Sequence, residues 1–431
     1  MLLYIAYLVL VLSFVNLLRL TFFSVASDLY DIKNIKFEKE KKNKSKLYFS
    51  KSYRPLITVI VPAHNEEVAL ERNLLSIANS SYKNVELIVV NDSSDDRTKS
   101  IALSYQRRYR GKLKRIKVLN VNVRGKAKAM NKGLRFAKGS LFMCLDADSV
   151  LTTNALKIAV QSFREKAVGA LSSNVKIIPG KGILNLLQRI EYMLNYQMKK
   201  AEALTRIQYI IGGVGSMYRM RIVRTMHYYD TDTITEDIDL SMKMILHYGN
   251  KKFIGYDPSM VVFSESVASI TELLQQRNRW KYGRYQVFLK RRDLFFSKDK
   301  RLNRILSWVY LPYILLSEVT SAIEPLTLGY IMYLIIANGD FWTITGSVLT
   351  FCFYTIVLTS GAAQGYSQRE RLKFIAIVPI AYFLMYILSY VEYMATIRGF
   401  TSIPRLLREH KSGVGSCVWS HVTRSGGSIV S

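Results

Sequence analysis

The chain has 431 residues, 49% of them hydrophobic, and its 61 Lys and Arg against 32 Asp and Glu give a formal charge of +29. A mean hydropathy slightly above zero beside 22% charged residues excludes an ordinary soluble domain with evenly spread apolar residues, so the hydrophobic excess must be concentrated. The basic residues crowd beside apolar segments, at 33–51, 290–304 and 369–373; that distribution points to anionic lipid and the cytoplasm rather than to nucleic acid, and no Cys/His zinc spacing or aromatic RNA-binding signature argues otherwise.

The first apolar run, Leu2 to Phe23, lacks a basic leader and a small-residue cleavage site. It reads as a retained transmembrane anchor over residues 1–25. A polar, Lys-rich tether without regular structure is expected over 26–55. From Leu56 short, nearly continuous apolar runs appear: 57–61, 85–90, 116–121 and 141–145. Such runs suit strands buried on both faces of a parallel sheet. Helical stretches at 66–79, 97–109 and 128–138 separate them. Strand and helix in alternation predict an α/β class, a doubly wound, mostly parallel sheet, over a cytoplasmic domain at 56–300. Cys144 reads as a small core residue, and Cys144, Cys352 and Cys417 are too far apart for a disulfide framework or metal site. From residue 301 to 397 the chain is membrane-like. One helix over 305–337 would be ~50 Å long against a ~30 Å hydrocarbon layer. Pro312 and Pro325 are expected to break it into an interfacial helix and one span. Further spans are expected at 341–361 and 374–397, then a basic polar tail over 398–431. This count would place the tail outside the cell, whereas the positive-inside tendency wants it in the cytoplasm. A re-entrant segment within 305–337 would reconcile the two.

In doubly wound sheets ligands bind beyond the carboxyl ends of the strands, and the chemistry-bearing residues cluster there. Asn91-Asp92-Ser93-Ser94-Asp95-Asp96 follows a strand; Asp92 suits a base or ribose hydroxyl, but the group also suits a turn. Asp146-Ala147-Asp148 at a strand exit can approach one hard cation, Mg²⁺ or Mn²⁺, which would neutralise a leaving diphosphate. Gly125-Lys126 at a helix start suits phosphate. Thr235-Glu236-Asp237 offers a general base and, equally, an ordinary helix start with Thr235 as cap. Gln276-Arg277-Asn278-Arg279-Trp280 pairs a phosphate-binding guanidinium with a face for a sugar ring, or forms a plain interfacial helix. His64 reads as a satisfied loop histidine. Gly212-Gly213-Val214-Gly215 reads as a tight turn or as a place where backbone approaches the acceptor.

Taken in order over residues 57–283, these clusters resemble family-2 glycosyltransferases of the GT-A fold. The set comprises Pro62-x-x-Asn65-Glu66, Asn91-Asp92-x-Ser94, Gly125-Lys126-Ala127 with Asn131, Asp146-Ala147-Asp148, Thr235-Glu236-Asp237 and Gln276-x-x-Arg279-Trp280. The last motif beside membrane segments further resembles processive synthases of poly-N-acetylglucosamine, hyaluronan, chitin and cellulose. The resemblance implies nucleotide-sugar contacts from Pro62, Asn65, Glu66, Asp92, Lys126 and Asp146, and a metal held by Asp148 with Asp146. It implies Asp237 as base, with Glu236 beside it. Gln276, Arg279 and Trp280 would hold the donor phosphates and the acceptor sugar. Ser149 stands where cellulose synthases have a His after the metal-binding acids, which favours the shorter hexosamine-polymer synthases. The implied activity is inverting transfer from a UDP-sugar, N-acetylglucosamine above all, to a growing β-linked glycan. It would be coupled to translocation through a multi-pass plasma-membrane protein. The alternatives are transfer of one sugar to a lipid carrier and a non-catalytic membrane scaffold. The implied partners are donor, glycan acceptor and lipid bilayer, with no nucleic acid; accessory subunits are left open.

Overall fold

The computed structural model describes residues 2–43, 53–339 and 368–412, together with 341, 342, 345, 346, 349, 352 and 353. Most of the expected span at 341–361 and the end of the tail, 413–431, lie outside the described residues.

The apolar runs become strands β1 (Ile57–Ala63), β2 (Val85–Asp92), β3 (Arg115–Val121) and β4 (Leu141–Cys144). Helices α2 (Leu70–Ala78), α3 (Thr98–Arg108) and α4 (Lys126–Phe136) alternate with them. Both sheet faces are covered, as the unbroken apolar pattern requires. Along β1 and β4, Ile60, Phe142 and Cys144 join a core with Met130 and Leu134 of α4. The intervening Val59, Val61, Leu141 and Met143 join the opposite core with Leu70, Leu74 and Ile77 of α2.

The sheet has eight strands in the order β3-β2-β1-β4-β7-β6-β8-β5. The new members are β5 (Val150–Leu151), β6 (Val168–Ile177), β7 (Ser216–Arg219) and β8 (Phe253–Ser264). The pairings β3-β2-β1-β4 are parallel, as expected. The remainder is mixed: β7 runs antiparallel to both β4 and β6, β5 antiparallel to β8, and β6 parallel to β8. The sheet is therefore mixed, with its longer pairings parallel and its antiparallel ones confined to the short strands β5 and β7. Its second half carries α5 (Ala155–Ser162), α6 (Ile183–Thr205), α7 (Met220–Thr225), α8 (Glu236–Tyr248) and α9 (Ile270–Lys290).

The membrane-flanking parts depart from expectation in two ways. First, α1 spans Leu2–Asn43, so the Lys-rich stretch to residue 43 is helical. Tertiary docking explains this. Asp31 accepts a hydrogen bond from Lys200 Nζ of α6 at 2.6 Å, and Tyr30 donates to the carbonyl of Tyr256 at 2.6 Å. Ser27 bonds Gln197, and Phe23 and Ala26 enter the core. Lys200 is wholly buried, its ammonium lying 4.6 Å from the Tyr196 ring centroid. Asp31→Ala is expected to cost about 3 kcal/mol, because it strands a buried cation. A lowered thermal midpoint in detergent, rescued by adding Lys200→Met, checks this.

Second, α10 runs unbroken over Leu311–Asn338 after a π-helical turn at Leu306–Tyr310. Pro312 falls in the first turn of α10, directly after the π-helical turn, and Pro325 lies inside the helix without ending it. Among the described residues one helix is long and apolar enough to cross a membrane, at Leu306–Ile323. A bent pair, Leu372–Val378 with Phe383–Glu409, passes the same test together. That pair belongs to α11 (Gln368–Ser412), which carries the start of the expected tail as helix.

Candidate active site

The carboxyl ends of β1, β2 and β4 open on one side of the sheet, and their loops are laced together. Asn65, held at φ 55°, accepts from the Asp95 N–H at 2.9 Å, while its own N–H donates to Ser94 Oγ. The Glu66 N–H donates to Thr98 Oγ1 at 2.8 Å. His64 Nδ1 lies 2.6 Å from the Asp92 carbonyl, the satisfied loop histidine that was expected. Pro62 lies within β1, paired in register with Val90.

Asp92 is buried, and its carboxylate accepts three backbone hydrogen bonds. Oδ1 takes those of Val123 (2.9 Å) and Arg124 (3.1 Å), and Oδ2 that of Gly125 (2.9 Å). Consecutive N–H groups around a left-handed residue make an anion-binding concavity, and Arg124 has φ 48°. Here the protein's own carboxylate fills it. Asp92 thus fixes the turn that starts α4 and aims Lys126.

Lys126 is the centre of the arrangement. Its Nζ lies 2.7 Å from Asp146 Oδ1 and 3.3 Å from Glu236 Oε1. Asp237 joins through Gly213. A Cβ placed on that glycine would meet Lys126 Nζ at 2.9 Å, Asp237 Oδ2 at 3.5 Å and Asp146 Oδ2 at 3.7 Å. The absent side chain at Gly213 thus leaves room for the Lys126 ammonium. Burial opposes the charge on Lys126, but Asp146 and Glu236 outweigh it and its pKa stands well above the usual value. For Asp237, burial first and the neighbouring Glu236 second push the pKa up to about 6, against the pull of Lys126 and the Ile238 N–H. One ammonium among three carboxylates is an acidic pocket with a built-in cation, and one carboxylate in it can exchange a proton near neutral pH.

Asp148 is buried at the same strand exit and accepts from Ser149 Oγ at 3.0 Å. Asn73, a residue no motif singled out, holds this turn: its amide donates to the carbonyls of Asp146 (2.8 Å) and Ser149 (2.7 Å). A buried asparagine in a helix gives no sequence signal of such a role.

Gln276, Arg279 and Trp280 lie on α9, and helical spacing puts 276, 279, 280 and 283 on one stripe. At its end Gly283 lies against Thr235, just before Glu236 and Asp237: a Cβ there would stand 2.7 Å from Thr235 Oγ1. Thr235 makes no side-chain cap on α8, contrary to the capping expectation; it packs under α9 instead. Gly283→Ala is expected to push α9 off the α8 start, cutting turnover by about 10²-fold through a displacement of under 1 Å. Steady-state rates checked against an unchanged-space control, Gly212→Ala, test this, since nothing lies within 4 Å of that position.

Beyond the motifs, Asp230, Asp232 and Asp239 bring carboxylate oxygens within 4.8 Å of one another. Lys290 Nζ lies among them, at 2.9, 2.5 and 2.9 Å. Arg291 adds bonds to Asp239 and Asp230. The ammonium occupies the place a cation would take, and the cluster fastens the end of α9 to the loop before Glu236. Lys290 and Arg291, read from sequence as membrane-flanking charges, are spent on these pairs.

Residues 58–226 match Glycosyl transferase family 2. A poly-beta-1,6-N-acetyl-D-glucosamine synthase of Staphylococcus epidermidis is 28% identical over 380 residues, covering 85% of this chain and 87% of the relative. A protein of the same name from Staphylococcus aureus (strain COL) is 31% identical over 274 residues, or 59% of this chain and 63% of its own. Among solved structures, a mannosyltransferase of Pyrobaculum calidifontis, in complex with GDP-Man and Mn²⁺, matches with TM-score 0.54 and 20% identity, over 88% of this chain and 98% of its own. That likeness shows the shared GT-A-like α/β fold with its mixed sheet. The chain carries a glycosyl transferase family 2 domain and is a glycosyltransferase.

Proposed function

We propose that this chain transfers N-acetylglucosamine from UDP-N-acetylglucosamine, with inversion, onto the end of a growing β-linked polysaccharide. The work is done at the cytoplasmic face of the plasma membrane, with the product passed through the chain's own membrane helices. The observation that carries this reading is the convergence of Lys126, Asp146, Glu236 and Asp237 around Gly213. The names of the staphylococcal relatives support the sugar, and the apolar helix at Leu306–Ile323 supports the membrane setting.

Asp237 takes the proton of the acceptor hydroxyl. The freed oxygen attacks the anomeric carbon on the face opposite the diphosphate, so an α-linked donor yields a β-linkage and UDP departs. Lys126 leaves part of its pairing with Asp146 to meet the diphosphate, and Glu236 keeps that ammonium oriented. Pro62, Asn65 and Glu66 border the nucleoside at the end of β1. Asp92 serves the donor indirectly, by shaping the turn that presents Lys126. Gln276, Arg279 and Trp280 bind the donor phosphates and the acceptor sugar.

Asp148 and Asp146 present hard oxygen donors at one strand exit, a set that fits Mg²⁺ or Mn²⁺, which take few carboxylates and complete their shell with phosphates. Such an ion supplies charge neutralisation for the leaving diphosphate. Sizing the product made by purified chain from radiolabelled UDP-N-acetylglucosamine with Mn²⁺ tests the reading. A ladder of long chains is expected. A single added sugar would replace the synthase reading by loading of a carrier, and no transfer at all would leave a scaffold.

A further inference from the structure

Arg277, the arginine next to Gln276 in the α9 motif, is buried and held by partners from two other helices. Its guanidinium centre stands 4.5 Å from the Trp280 ring centroid. One Nη2 donates to both Glu191 oxygens of α6, at 2.8 and 2.7 Å. Its Nε lies 3.2 Å from Glu392 Oε1 of α11. Positions i and i+3 are neighbours on a helix surface. A guanidinium bonded along its edge still offers a flat face for stacking, which an ammonium cannot do.

The network extends beyond one pair. Lys281 Nζ lies 3.4 Å from Glu392 Oε2 and 2.6 Å from Glu318 Oε2 of α10, and Arg284 lies 2.6 Å from Glu318 Oε1. Three cations on one stripe of α9 therefore face three carboxylates: Glu191 from the transferase domain, Glu392 and Glu318 from the two C-terminal helices. Further along, Tyr282 donates to Glu409 at 2.8 Å, and Tyr285 stacks on Phe400 with centroids 5.8 Å apart. α11 thus follows α9 beyond the motif.

We infer that Arg277 is a positioning residue: it sets the plane of Trp280, and through Glu392 it ties that plane to the C-terminal helix α11. One face of the indole is covered by the guanidinium, which leaves the other for the acceptor sugar. The inference rests on the proposed function in taking Trp280 as the acceptor's platform. A shift of α11 would reach the acceptor end of the site through the Arg277–Glu392 pair.

The test uses the full-length protein in detergent, with Arg277→Lys, Glu392→Gln and Trp280→Ala assayed on a β-1,6-linked N-acetylglucosamine oligomer and UDP-N-acetylglucosamine. Arg277→Lys keeps the charge and loses the fork. It is expected to raise the acceptor KM about tenfold, the size of a desolvated cation–π contact, with donor KM and thermal midpoint held. Glu392→Gln is expected to move the acceptor KM the same way by less. A second readout is independent of transfer: in a chain whose Trp308, Trp342 and Trp419 are replaced by Phe, both variants should shift Trp280 emission to longer wavelength. The inference is overturned if Arg277→Lys leaves both acceptor KM and Trp280 emission unchanged, or changes donor and acceptor KM alike. If Trp280→Ala leaves the acceptor KM unchanged while Arg277→Lys still shifts the emission, the platform reading of Trp280 fails and the Arg277 contact stands.

Discussion

Asp237→Asn is expected to lower the rate of transfer by about 10³-fold, within the usual range for losing a general base, while leaving donor binding and the thermal midpoint near wild type. Asparagine has the carboxylate's shape and still accepts from the Ile238 N–H, which Asp237 does at 2.8 Å. It cannot take a proton. The same residue fixes the pH profile. Asp237 faces Glu236, Asp146 and Lys126, and the balance of burial, two acids and one cation puts its pKa at about 6. The base works deprotonated. The rate should therefore be level above that pH and fall as pH drops through it, and the acid limb should vanish from the residual activity of the variant. Rates measured with saturating donor from pH 5 to 8 check both parts.

Lys126→Ala is expected to cut transfer by about 10²- to 10³-fold, the size of losing one preorganised donor to a developing oxyanion. Here the loss falls on the donor side, so the donor KM rises as well. The variant has a second signature. Lys126 pulls the Asp237 pKa down, whereas Glu236 and Asp146 push it up. Removing the ammonium leaves the three acids facing one another, so the acid limb should move to higher pH. Lys126→Met should do the same, which separates the missing charge from the missing volume. A variant that lost rate with an unmoved limb would place Lys126 away from the base.

The parallel half of the sheet is legible in the sequence because strands covered on both faces must be continuously apolar. The other half is not: β5 has two residues and β7 four, too short for any period, and their antiparallel pairing is decided by tertiary contact. The helix through residue 43 is hidden for a related reason. Its sequence is polar, and what orders its first part is the docking of Ser27, Tyr30 and Asp31 on α6 and β8. Of the site, Asp146 and Asp148 are readable because they follow a strand end, and Lys126, Glu236 and Asp237 because they start helices. Asp92 is legible as important but not in its manner of acting, since a carboxylate that binds backbone looks in sequence like one that binds ligand. Arg277, Asn73 and Lys290 are illegible: each gains its place from partners 60 to 115 residues away, through Glu191, Glu392, Asp146 and Asp230, and no local pattern records such pairs.

The most direct test of the central claim is the anomeric configuration of the new bond, read by proton NMR on product formed by wild type and Asp237→Asn from UDP-N-acetylglucosamine with Mn²⁺. A β-linkage from the wild type, with almost none formed by the variant, is the predicted result. An α-linked product, or a β-linked product formed equally well without the Asp237 carboxylate, would contradict an inverting site built on Lys126, Asp146, Glu236 and Asp237.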